Sequence, residues 1–154
     1  MVTIQMAWAD AADRSLGLPS YETQGAAGAD LRANFPTGPQ GAFELAPSAR
    51  ARVPTGLHMQ IPDGFEVQVR PRSGLAIKHG LTMINAPGTI DSDYRGEVAV
   101  LVVNLGEEAV TITHGMRIAQ MVVAPVVQAE FHQVETLAPT ARGEGGFGST
   151  GTGA

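Results

Sequence analysis

The run Val98-Ala99-Val100-Leu101-Val102-Val103 constrains the fold more than any other six residues of the chain. Strand side chains alternate between two faces, and this run is apolar on both. Such a strand has to be covered twice, inside a sandwich or against another subunit. Met121-Val122-Val123-Ala124 makes the same demand. In a chain of 154 residues, a length that suits one domain, at least one of these runs is expected to find its second cover on another copy. Glu66-Val67-Gln68-Val69-Arg70 instead alternates cleanly, which predicts one covered face and one wet one.

The rest of the pattern is also of strands. Candidates are 3–9, 30–33, 42–45, 51–60, 65–70, 81–84, 97–104, 109–112, 117–124 and 126–134. Between them stand turn formers such as Pro62-Asp63-Gly64, Pro87-Gly88 and Leu105-Gly106-Glu107-Glu108. Nineteen glycines and ten prolines leave little room for helix interiors, and one short helical turn within 74–79 is expected. These features predict an all-β domain over residues 1–138. Residues 139–154 are different. Six glycines fall among the last thirteen residues, with Phe147 the single large apolar side chain, so this piece is expected to be a flexible arm.

Other classes are excluded by what the chain lacks. With no cysteine it forms no disulfide, thiolate zinc site, iron–sulfur cluster or cysteine nucleophile. His58, His79, His114 and His132 are scattered, with no metal-ligand pair four residues apart. No apolar run approaches the ~18–20 residues of a membrane span, and no signal-peptide pattern opens the chain. The expectation is a soluble, cytoplasmic protein that binds neither membrane nor nucleic acid. The formal net charge of −5, without a basic run, argues against a nucleic-acid polymer as partner. A few converging arginines can still grip a small anion.

Five stretches hold chemistry-bearing groups. Arg70-Pro-Arg-Ser-Gly-Leu-Ala76 ends a strand on Arg, Ser and Gly, which suits phosphate oxygens or an ordinary helix cap. Asn85 to Glu97 is a turn-rich hairpin loop with Asn, Thr, two Asp, Tyr and Arg, read either as solvated surface or as a site that reads a base edge and orients a water. Gly115-Met-Arg-Ile-Ala-Gln120 puts one Gln in an apolar strand, where it needs a partner from backbone or ligand. Gly25 to Leu31 leaves Asp30 beside a strand start, where an Asp is more often a turn cap than a metal ligand. Gly143 to Thr150 has the outline of a phosphate loop, but Ser149 occupies the lysine position and no strand precedes it, so a P-loop fold is rejected.

Taken in order and spacing, Ala27-Gly-Ala-Asp-Leu31, Pro71 to Ala76, Asn85 to Gly96, Gly115 to Gln120 and Arg142 to Thr150 resemble the five motifs of the homotrimeric dUTP pyrophosphatase (dUTPase) family, bacterial in type. The resemblance implies a jelly-roll-like β-sandwich or distorted barrel with one short helix, assembled as a threefold trimer with shared sites. The C-terminal arm would close a neighbour's site. It also implies hydrolysis of dUTP to dUMP and pyrophosphate with Mg2+, supplying dUMP for thymidylate synthesis and keeping uracil out of DNA. Asp91 would activate the water that attacks the α-phosphorus. Asp30 would hold waters of the magnesium shell. Arg72, Ser73 and Gly74 would contact the phosphate chain, Ser73 near the leaving oxygen, and Gln120 the α-phosphate or the water. Asn85 and the backbone of Gly88, Thr89, Ile90 and Ala99 would read uracil, with Tyr94 against the sugar. In the arm, Arg142, Gly148, Ser149 and Thr150 would clamp the γ-phosphate while Phe147 stacks on the base. A dCTP deaminase-like relative and a non-catalytic nucleotide-binding trimer share the fold and stand as the alternatives.

Overall fold

The computed structural model describes residues 2–146, 149 and 151. Ten strands account for most of the ordered backbone: β1 (Gln5–Trp8), β2 (Ala29–Arg32), β3 (Ala42–Leu45), β4 (Arg50–Gln60), β5 (Phe65–Pro71), β6 (Leu81–Met83), β7 (Gly88–Ile90), β8 (Val98–Asn104), β9 (Val110–Thr113) and β10 (Arg117–Pro125). One α-helix, α1 (Ser73–His79), joins β5 to β6, and short 3-10 turns lie at Arg14–Leu16 and Gly38–Gln40. No helix among the described residues is long and apolar enough to cross a membrane.

All pairings are antiparallel. Two four-stranded sheets, in the orders β1-β4-β8-β6 and β2-β10-β5-β7, are joined by the small pair β3-β9. Their inward residues form a single core. Val53, Leu57 and Met59 come from β4, Val98, Val100 and Val102 from β8, Leu31 from β2, Val67 and Val69 from β5, Ala119 and Met121 from β10. The expected β-sandwich is therefore present, with its single α-helix one residue longer than the sequence predicts.

The double-sided run of β8 is covered unequally. Val98, Val100 and Val102 are buried, whereas Leu101 is 37% exposed on the outer face and Ile84 beside it 53%. At its end Asn104 is wholly buried and fully satisfied. Its amide donates to the carbonyls of Leu45 and Glu108, both at 2.8 Å, and its Oδ1 accepts from the Gly106 amide. The helix stops at Gly80, whose φ of 65° lies in the left-handed region that favours glycine. Its N–H bonds back to the last turn of α1, and a side chain there would run into the Gly106 backbone.

A polar latch holds the long segment before β2. The Phe35 amide donates to His114 Nδ1, so the ring proton sits on Nε2 and points at Asp13 Oδ2, 3.1 Å away. Asn34 exchanges bonds with the backbone of Asp13. The Ser15 hydroxyl and amide, followed by His114, hold the Asp13 carboxyl below its usual value.

One expectation fails. The apolar stretch 126–134 is not a strand: regular structure ends at Pro125, and every residue from Pro125 to Glu144 is exposed. A strand needs a neighbour along its length, and beyond the bond from the Val126 amide to the Gly64 carbonyl the described residues pair no strand with this segment. The loop after Asn85 is flanked as expected by two paired strands, since β6 and β8 run antiparallel in one sheet; what the pattern leaves out is β7, which forms within the loop and pairs with β5 of the other sheet.

Candidate functional site

Strand β10 gathers the first group of site residues. Gln120 lies opposite Asp30 of β2 on one side and Arg70 of β5 on the other. Directly opposed residues share a face, so Asp30 and Gln120 project together while Leu31, Ala119 and Met121 enter the core. Arg72 follows directly after β5 and caps the start of α1, which carries Ser73 and Gly74 in its first turn.

Asp30 is gripped by two guanidiniums. Arg72 Nε reaches Oδ1 and Arg117 Nη1 reaches Oδ2, each at 3.1 Å, with the carboxylate 11% exposed. Arg72 also donates to the Arg117 carbonyl, and Arg117 extends to Glu22 at 3.3 Å. A bulge explains the second grip. In an unbroken strand residues 117 and 120 would point to opposite faces. The extra residue between Arg117 and Ala119 turns Arg117 back toward Asp30.

Gln120 donates from Nε2 to the Pro71 carbonyl at 3.0 Å, which leaves Oε1 free to accept. It packs so closely on Gly28 that a Cβ at 28 would overlap Oε1 and stand 3.1 Å from Cδ. The partner that a Gln in an apolar strand requires is thus core backbone. Around these groups lies an open cavity of about 540 Å³, lined by Asp30, Arg72, Ser73, Gly74 and Gln120. Glu22, Lys78 and His79 also line it, with Ala26, Gly28 and Leu75, and none of the three charged or titratable groups is among the expected site residues. Lys78 was legible in principle, since it lies four residues after Gly74 and so one helical turn along the same face.

Asp91 belongs to a second, separate cavity of about 170 Å³, lined by Thr89, Ile90, Asp91, Tyr94, Glu97, Val98 and Ala99. No residue lines both cavities. The walls are two open strand edges. β7 ends its sheet, and β6 pairs only with residues 102–104 of β8. The loop between them is held by its own bonds: the Tyr94 amide to the Asp91 carbonyl, the Tyr94 hydroxyl to the Glu97 carbonyl, and Arg95 to the carbonyls of Ser92 and Tyr94. Gly96 makes room for the Tyr94 ring, into which a Cβ would run. Asn85 is exposed, with its amide nitrogen against Gly88. Asp91 and Thr89 also border a broad groove that runs past Phe65 and Glu66 to Val126 and Val127.

The described residues of the arm line neither cavity. Arg142 turns back to the Gly145 carbonyl at 2.7 Å, and the Ser149 amide donates to Gly146. Phe147, Gly148 and Thr150 lie outside the described residues. Upstream, Val127, Phe131 and Leu137 are each more than 85% exposed. Among the described residues no cluster of three or more His, Asp or Glu side chains is arranged to hold a metal ion.

Comparison with known proteins bears on the same residues. The dUTPase family model matches residues 14–151. The deoxyuridine 5'-triphosphate nucleotidohydrolase of Roseobacter denitrificans is 66% identical over 151 residues, covering 98% of this chain and 97% of the relative. That of Rhizobium etli is 62% identical over 136 residues, covering 88% and 86%. Among solved structures, the Staphylococcus bacteriophage 80alpha dUTPase with dUPNHPP superposes with a TM-score of 0.82 at 26% identity, covering 97% of this chain and 99% of that one. The family model over residues 14–151, the relatives that match nearly the whole length and the shared β fold agree: the chain belongs to the dUTPase family.

Proposed function

We propose that this chain hydrolyses dUTP to dUMP and pyrophosphate at sites composed of residues from several copies in a threefold trimer. The observation that carries the proposal is the division of the site residues. The phosphate-type groups Arg72, Ser73, Gly74 and Gln120 line one cavity, the carboxylate Asp91 stands at another, and no residue is common to both. A site shared between chains accounts for this division, each copy supplying one part of the wall around a single nucleotide. The exposed Val127, Phe131 and Leu137 give the C-terminal segment an apolar side to lay on a neighbour.

At about 170 Å³ the Asp91 cavity is below the ~300–1,000 Å³ of a pocket for a whole ligand, and suits one flat ring. Uracil offers an acceptor–donor–acceptor edge, which the open backbone of β7 and β8 and the Asn85 amide are suited to pair. Cytosine presents a donor where uracil presents an acceptor, leaving a buried group unpaired, a strong basis for rejection. Tyr94 stands beside this cavity, placed to refuse the 2'-hydroxyl of a ribose.

Asp91 accepts the proton of the water that attacks the α-phosphorus. The bond to the bridging oxygen breaks, and Arg72, Ser73 and Gln120 stabilise the charge gathering on pyrophosphate and the α-phosphoryl oxygens. Arg142, Gly148, Ser149 and Thr150 clamp the γ-phosphate, and Phe147 covers the base. Each Asp30 oxygen is engaged by one guanidinium and keeps a lone pair, so Asp30 suits a bond to a metal-bound water rather than to an ion. That fits Mg2+, which keeps several waters and sits mainly on phosphates, and which when bound supplies charge neutralisation of the triphosphate.

The test is pyrophosphate release from dUTP, dCTP, dTTP and UTP, with and without Mg2+. Release from dUTP alone, and only with Mg2+, is expected. Ammonia from dCTP, or dUTP binding with no pyrophosphate, would overturn the proposal.

A further inference from the structure

Arg72 in the wall of the larger cavity, and Arg117, which does not line it but binds its carboxylates, are already committed. Arg72 and Arg117 bind the two oxygens of Asp30, and Arg117 also binds Glu22. Two arginines thus face two carboxylates, and their formal charges cancel. A triphosphate carries several negative charges, and a network of ion pairs with zero net charge offers it little beyond hydrogen bonds. Lys78 breaks the balance. It is the only lysine of the chain, lines the same cavity, and forms no ion pair among the described residues. It sits one helical turn after Gly74, and its side chain is exposed.

We infer that Lys78 is a substrate-binding cation, the positive group of this cavity wall that no carboxylate engages and that draws the outer phosphates of the nucleotide onto it. The inference rests on the proposed dUTP site and adds a residue to it. The other role open to a lysine in a last helical turn is to offset the helix dipole. That role affects folding alone and is blind to the ligand's phosphate count. A mobile ammonium suits the outer phosphates, which rotate freely, better than the fixed geometry that Arg72 supplies.

The magnitude follows from Coulomb attraction. A single charge about 4 Å from a phosphate in a water-like dielectric is worth about five-fold in affinity. Salt screens it, since the Debye length falls from ~10 Å at 0.1 M to ~3 Å at 1 M. The test compares wild type, Lys78→Gln and Lys78→Arg. Binding of dUMP and of non-hydrolysable α,β-imido-dUTP is measured by calorimetry at 0.05 M and 1 M salt, with KM and kcat for dUTP alongside.

Lys78→Gln is expected to weaken the imido-triphosphate about five-fold at low salt, to leave dUMP binding within two-fold, and to lose its effect at 1 M. KM should rise with kcat nearly unchanged, and Lys78→Arg should restore affinity. Equal affinities for wild type and Lys78→Gln would overturn the inference. So would a loss as large for dUMP as for the triphosphate. If wild type itself releases no pyrophosphate from dUTP, the functional proposal fails instead, and the two failures are distinct.

Discussion

Gly28→Ala probes the cavity without touching any charged group. A Cβ at residue 28 would overlap Gln120 Oε1, with Gln120 Cδ at 3.1 Å and Cβ at 3.2 Å, so the glutamine has to rotate away. Rotation breaks its 3.0 Å bond to the Pro71 carbonyl, the contact that ties β10 to the end of β5 just before Arg72. Leaving a half-buried acceptor unpaired costs about 1–3 kcal/mol, and crowding a packed wall costs a similar amount. Stability should therefore fall by about 2 kcal/mol in urea melts. Activity should fall further, because displacement of a positioned group by about 1 Å can cost ~10²-fold. A double-mutant cycle isolates the cause. Gln120→Ala alone should lower kcat/KM by a similar factor, and adding Gly28→Ala to it should change little, since the colliding group is gone. Additive losses, or normal turnover by Gly28→Ala, would refute the claim that this glycine acts through Gln120.

Three further outcomes are expected. Asp91→Asn should bind α,β-imido-dUTP normally in calorimetry while kcat falls at least ~10²-fold, and near-normal turnover would remove Asp91 from the role of base. Truncation after Pro139 should leave a folded trimer by light scattering with little activity, whereas loss of the trimer would contradict a closing arm. Asp13→Asn tests the latch by pH. Because the folded carboxyl is held below its unfolded value, its contribution is full above the unfolded pKa and is lost as pH falls through the folded one. Wild type should melt above the variant at neutral pH, with the two curves converging on the acid side below the ordinary carboxylate range.

The parts of this fold that sequence discloses are those fixed by local pattern. Glu66 to Arg70 alternates and is β5, and Ser73 to His79 is a helix ended by Gly80. Residues 126–134 carry the same kind of apolar pattern and yet form no strand, because a strand is a pairing and pattern alone supplies no partner. Gly88–Ile90 has three residues and a glycine, too little signal to mark a strand. Its β status comes from Val67, Gln68 and Val69 opposite. The motif stretches are local signals that a sequence displays, but the grouping of their side chains is not. That Asp30 is shared by Arg72 and Arg117 depends on a one-residue bulge in β10. Nothing in Gly115 to Gln120 announces that bulge.

The central claim is that one site takes residues from more than one chain, and subunit mixing tests it most directly. Asp91→Asn chains keep the arm, and chains truncated after Pro139 keep Asp91. Each form alone should be nearly inactive toward dUTP. If base and arm come from different chains, unfolding and refolding the two together at equal ratio should give about one half times one half, or about a quarter, of wild-type sites a functional pair. Recovery of pyrophosphate release near that fraction is the predicted result. Mixed trimers that form and stay as inactive as their parents would contradict it.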